Sequence, residues 1–174
     1  FSTFSTSLSA AEVIAFLNEY QRCVVPVIVG AGGVVDKFLG DGVLATFTDP
    51  EHRREAAKAF AAVPPLLAAF EAWAQSRAAA GLKTPGFAIA ATHGDVVHGL
   101  IGGGDRLEFT VIGEAVNLAA KLEKHAKAEK ARAIATHDAF ALAKAQGLSG
   151  EPLRSVSAAR VDGVAAPIDL VVLA

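Results

Sequence analysis

Apolar positions recur with a helical period after Ser9-Ala10-Ala11-Glu12, at Val13, Phe16, Leu17, Tyr20 and Val24. The tetrapeptide before them has capping-box form, in which a hydroxyl and a carboxylate satisfy each other's backbone donors. Gly30 and Gly32-Gly33 predict the end of this helix, with Pro26 in or near its last turns. The period then shortens to two. Val34, Val35, Phe38 and Leu39 predict a strand, Gly40-Asp41-Gly42 a tight turn, and Val43 to Phe47 the returning strand. Residues 33–48 are thus expected to form a hairpin with Asp41 at its tip. A long helical region should follow Asp49-Pro50 and run to Ala80, with Phe60, Leu66, Leu67, Phe70 and Trp73 as its bulky groups. Pro64-Pro65 should break or kink it, because proline lacks a backbone donor and clashes with the preceding turn.

Phe87 to Ala91 predicts the next strand. Val96 to Ile101 and Leu107 to Ile112 predict a second hairpin around Gly102-Gly103-Gly104-Asp105. Gly113 should stop that strand and Glu114 open a helix. A strand over Ala131–Thr136, a helix from Thr136-His137-Asp138 to Ala145, and two late strands near 156–161 and 168–173 complete the chain. The order predicts an α+β fold, mostly antiparallel, with helices packed on the sheet as a single domain over residues 1–174.

The length of 174 residues suits one core. A hydrophobic content of 52% is high, but much of it is alanine, and no apolar run is expected to reach the roughly 20 residues of a membrane span. The net charge of -2 argues against a nucleic-acid surface. The lone Cys23 suits a reducing compartment and hence the cytoplasm, and its helical context predicts a structural role. The sequence starts F-S-T-F-S-T without Met or a signal peptide, as expected of a piece of a longer chain.

Two groups of polar residues stand out against the apolar pattern. Lys37 and Asp41 lie on one side of a strand and its turn, where a carboxylate and an ammonium can serve a metal and a polar ligand, or face water as a solvated edge. Asn117 and Lys121, one helical turn apart, set an amide and an ammonium on one face of a helix that after Glu114 is otherwise built of Ala, Val and Leu to that point. His93 and His98 lack a third ligand at metal spacing, and the lysines at 121, 124, 127 and 130 suit a wet helix face. No P-loop, nucleophile elbow or Cys-x-x-Cys pair is present.

Lys37-Phe38-Leu39-Gly40-Asp41-Gly42-Val43-Leu44-Ala45-Thr46-Phe47 and Arg106 to Glu123, R-L-E-F-T-V-I-G-E-A-V-N-L-A-A-K-L-E, together resemble the class III nucleotidyl cyclase catalytic domain. The resemblance runs in order along essentially the whole chain. It implies a ferredoxin-like sheet with a βαββαβ core, and two copies pairing head-to-tail with active sites at their interface. It also implies cyclisation of a nucleoside triphosphate assisted by two divalent ions, magnesium or manganese. Asp41 matches the second metal aspartate, and the first is expected a few residues upstream of Phe1, on a strand outside this sequence. The backbone of Phe1 and Ser2 matches the phosphate-binding turn. Lys37 and Thr110 match the base-reading positions and resemble the adenine-selecting pair of a bacterial subclass. Asn117 matches the residue that orients the ribose, and Lys121 stands where the family carries a transition-state arginine. Asp162-Gly163 stands where the family carries Lys-Gly. The resemblance therefore implies an adenylate cyclase domain acting on ATP as a homodimer, fused to a sensor or membrane segment. Lys121 and Asp162 keep open a domain that only binds nucleotide or dimerises to regulate a partner, and guanylate specificity is a further alternative.

Overall fold

The computed structural model describes residues 2–6, 8–104 and 106–174. Its elements run α1 (Ser2–Ser5), α2 (Ala10–Gly30), β1 (Val34–Leu39), β2 (Gly42–Thr46), α3 (Glu55–Ala61), α4 (Val63–Ala79), β3 (Ile89–Ala91), β4 (Val97–Gly103), β5 (Arg106–Ile112), α5 (Glu114–His125), β6 (Ala133–Thr136), α6 (His137–Ala145), β7 (Arg154–Ala159) and β8 (Ile168–Val172). They fall into two compact units, one of Phe1–Phe47 with Ala61–Phe87, the other of Thr48–Phe60 with Ala88–Ala174.

In the first unit, α2 starts on the expected capping box. Ser9 donates from its amide and its hydroxyl to Glu12 at 2.7 and 2.6 Å, and the Glu12 amide returns a bond to Ser9 Oγ at 3.3 Å. The Ser9 hydroxyl, then the Ser9 amide, hold the Glu12 carboxyl below the usual carboxylate range. Pro26 lies inside α2. The helix has 21 residues and, by length and composition, is apolar enough to cross a membrane, contrary to the expectation from the sequence. Averaged along the helix, the Val- and Ile-rich second half outweighs Glu19 and Arg22.

An aromatic cluster packs α2 against α4. Phe16 and Trp73 have centroids 5.2 Å apart, Phe70 meets Trp73 at 5.3 Å, and Phe87 stacks on Phe70 at 3.7 Å. The buried Arg77 guanidinium lies 5.0 Å from the Phe16 centroid and 5.4 Å from that of Trp73. It donates to Glu19 at 2.5 Å and to the Lys83 carbonyl at 3.2 Å. Arg77→Ala removes two cation–π contacts and an ion pair, but Glu19 is 41% exposed and can rehydrate. The expected loss is therefore about 2 kcal/mol, below that of a fully buried pair, read as a lower urea midpoint at unchanged slope. Cys23 borders this region half-buried, and burial raises its thiol pKa, in keeping with an unreactive structural residue.

Of the break or kink expected at Pro64-Pro65, the structure shows the break, and the prolines open the helix that follows it. α3 ends at Ala61, α4 begins at Val63, and both prolines fall in its first turn. Amide hydrogens there have no intrahelical acceptor, so proline loses nothing.

The second unit carries a four-stranded sheet in the order β3-β6-β8-β7. β3 and β6 are parallel, and the other pairs antiparallel. The fully buried Leu122, Ile134 and Leu170 centre one core with α5. Ala135, Ala139, Phe140 and Val171 join Phe60 in a second with α6. Thr136 caps α6, its hydroxyl accepting from the Ala139 amide. β4 and β5 form a separate two-stranded hairpin in unbroken register from Val97↔Ile112 to Gly103↔Arg106. Two expectations shift here. α5 ends at His125, so Lys127 and Lys130 lie beyond it. β7 ends at Ala159, short of the strand expected near 156–161, so Arg160 and Asp162 sit in the following loop.

Candidate functional site

The β1–β2 hairpin is built where expected. Gly33 leads into it in a space too small for a side chain, since a Cβ there would come within 2.6 Å of the Phe47 ring. The two-residue turn Gly40-Asp41 joins the strands, with Gly40 at a φ of +64° that L side chains rarely adopt. Asp41 is exposed at the tip. Lys37, read from the sequence as either a functional or a solvated lysine, is largely covered, at 22% side-chain exposure. Its ammonium lies 3.6 Å from the carboxylate of Asp36, whose side chain is 5% exposed. Asp36 was not legible as a site residue, because a regular strand sends neighbours to opposite faces.

In the second unit, Thr110 lies on β5 opposite Gly99 and is buried. Gly113 then turns the chain into α5, with its ideal Cβ position 2.6 Å from the Asp95 carbonyl oxygen, so only glycine fits. The Thr92 hydroxyl donates to the Ala115 carbonyl at 2.8 Å and pins the first turn of α5. Leu122 faces the core while Asn117 remains exposed. The Lys121 ammonium donates to the carbonyl of Gly163, in the loop that follows β7. Gly163 has a φ of +73°, and a Cβ there would meet Lys121 Cε at 3.3 Å. This loop borders a shallow cavity of about 330 Å³ lined by Arg160, Asp162, Gly163 and Pro167.

Of the remaining candidates, Ser2 starts the short α1, and Phe1 lies outside the described residues. The first unit thus holds Lys37 and Asp41 on one hairpin, and the second holds Thr110, Asn117 and Lys121 along β5 and α5. Among the described residues no group of three or more His, Cys, Asp or Glu side chains gathers around a metal position. The exposed Asp41 carboxylate nevertheless suits magnesium or manganese, hard ions held through one or two carboxylates together with substrate phosphates.

The β4–β5 hairpin is apolar on its exposed surface. Val97, Leu100, Leu107 and Phe109 are 59–70% exposed. A free two-stranded hairpin is marginal in water, and apolar side chains gathered at this density mark an interaction surface.

No family model matches the chain. It is 31% identical over 123 residues to the adenylate cyclase of Anabaena cylindrica, which covers 71% of this chain and 24% of that protein. The chain therefore spans about a quarter of that relative's length. Its fold matches the guanylyl cyclase Cya2 with a TM-score of 0.82 at 24% identity, covering 99% of this chain and 85% of that one. It matches the adenylyl cyclase CyaB from P. aeruginosa with a TM-score of 0.81 at 25% identity, covering 99% and 87%. The predicted α+β cyclase fold is the observed one. One neighbour is named for guanine and the other for adenine at nearly the same TM-score, so the backbone does not carry the choice of base.

Proposed function

We propose that this chain, a class III adenylate/guanylate cyclase domain by fold and by sequence, converts ATP to 3′,5′-cyclic AMP and pyrophosphate. The observation that carries the proposal is the presence in one chain of both the Asp41 hairpin, with its covered Lys37, and the Thr110–Lys121 segment, within a fold whose neighbours are nucleotidyl cyclases. In the reaction the ribose 3′-oxygen attacks the α-phosphorus, the bond to pyrophosphate breaks, and the 3′-hydroxyl proton leaves. Asp41 would hold the divalent ions together with an aspartate upstream of Phe1, and such ions supply charge neutralisation and a more acidic 3′-hydroxyl.

The chain's own groups do the rest. Lys37 has three donors and no acceptor, which suits the N1 lone pair of adenine and not the N1–H of guanine. Thr110 adds a hydroxyl at the base edge. Asn117 orients the ribose from the exposed face of α5, so that the 3′-oxygen stays in line. Lys121 supplies positive charge to the phosphate as negative charge builds, once it leaves the Gly163 carbonyl. The Phe1–Ser2 backbone would bind phosphate. Metal and phosphate groups come from one copy of the chain, and Lys37, Thr110, Asn117 and Lys121 from another. The exposed β4–β5 surface supports such a homodimer, since a second copy would cover it. ATP as substrate suits a cytoplasmic domain, and a fused sensor or membrane segment would supply its signal.

The test is cyclic AMP formation from ATP with manganese by the full-length protein, with GTP as competitor. Cyclic AMP as the main product is expected. Preferential use of GTP would overturn the base assignment. A second reading, a domain that binds nucleotide or dimerises without turnover, is favoured by Lys121 being engaged by Gly163 and by acidic Asp162 beside it. That reading is supported if nucleotide binds and no cyclic product forms.

A further inference from the structure

Asp36 has no part in the site as described so far, yet it is the least expected charged group near it. Its side chain is 5% exposed, and its Oδ2 is buried with no hydrogen-bond partner among the described residues. A buried carboxylate left uncompensated is strongly destabilising, so a residue kept only for packing would be better replaced by an apolar or neutral one. The ladder explains how it meets its neighbour. Val35 faces Ala45 and Lys37 faces Leu44, which leaves Asp36 as the extra residue of a bulge. A bulge of this kind undoes the strict alternation of faces and re-aims side chains, which lets two consecutive residues bring their charges within 3.6 Å.

We propose that Asp36 is a positioning and specificity-determining residue that acts through Lys37. Its carboxylate restrains the ammonium at the end of a flexible four-carbon stem and fixes the direction from which the base is read. Holding the lysine in place before nucleotide arrives removes an ordering cost from binding and sharpens discrimination between a base that accepts at N1 and one that donates there. This inference rests on Lys37 as the base reader.

The experiment compares α,β-methylene-ATP and α,β-methylene-GTP by the ratio of their dissociation constants on the full-length protein, so that turnover is not required. Lys37→Ala is expected to reduce the ATP preference by about tenfold or more, and Asp36→Asn by about three- to tenfold. In the double variant the loss should not exceed that of Lys37→Ala alone, as for residues acting in series. A merely structural role would lower the melting temperature without changing the ratio. Should Asp36→Asn fail to fold, Asp36→Ser removes the same charge in a smaller side chain. A wild-type ratio in Asp36→Asn, or losses that add in full, would overturn the positioning role while leaving base reading by Lys37 intact. An unchanged ratio in Lys37→Ala, or no binding of either analogue by the wild-type protein, would overturn both.

Discussion

Asp41→Ala is expected to abolish cyclic AMP formation, lowering kcat by at least about a thousandfold while the melting temperature stays within a degree or two of wild type. The second half follows from where the residue sits. Asp41 is exposed at a two-residue turn whose geometry is set by Gly40, and its side chain is not part of a core. Surface substitutions of that kind move stability by no more than about 0.5 kcal/mol. The first half follows from chemistry. Without this carboxylate the site loses one of the two aspartates that would hold its ions, and the triphosphate loses its charge neutralisation. Rate measurements across a manganese titration, with thermal melting alongside, check the prediction. Retained turnover would remove Asp41 from the metal site.

Lys121→Ala is expected to lower kcat by about 10²–10³-fold with little change in KM, the pattern of a contact made only as charge develops. Lys121→Arg is expected to raise kcat, because a planar guanidinium can meet two phosphate oxygens where an ammonium meets one. The geometry adds a condition. Lys121 is engaged by the Gly163 carbonyl, so productive turnover requires that bond to be exchanged for one to phosphate. Single-turnover kinetics at saturating ATP separate this step from binding. If Lys121→Ala changes only KM, the lysine tethers the loop after β7 and takes no part in the transition state.

Much of the fold was legible because its signals are local. The capping box at Ser9–Glu12 and the two-residue turn at Gly40-Asp41 each act within a few residues, and each sits where expected, whereas Gly102 and Gly103, read as part of a turn, are paired residues of β4. The illegible parts are set by partners far along the chain or by a break in periodicity. Glu19 and Arg77 are 58 residues apart, and only packing of α2 on α4 joins them. Pro64-Pro65 reads equally as a break or a kink, and the end of α3 at Ala61 decides it. Asp36 is hidden for a different reason. The strand pattern assigns it to the face opposite Lys37, and one extra residue in β1 reverses that. Lys121 was legible as a cation one turn beyond Asn117, but its bond to Gly163 depends on a loop 42 residues later.

The central claim is that two copies of this chain complete each other's site for cyclising ATP. Its most direct test mixes Asp41→Ala protein with Asn117→Ala protein, each inactive alone, and measures cyclic AMP from ATP. Shared sites predict recovery to about a quarter of wild-type turnover, since random pairing makes about half the dimers mixed and each mixed dimer keeps one intact site. No recovery, with subunit exchange demonstrated, would contradict a site built from two copies.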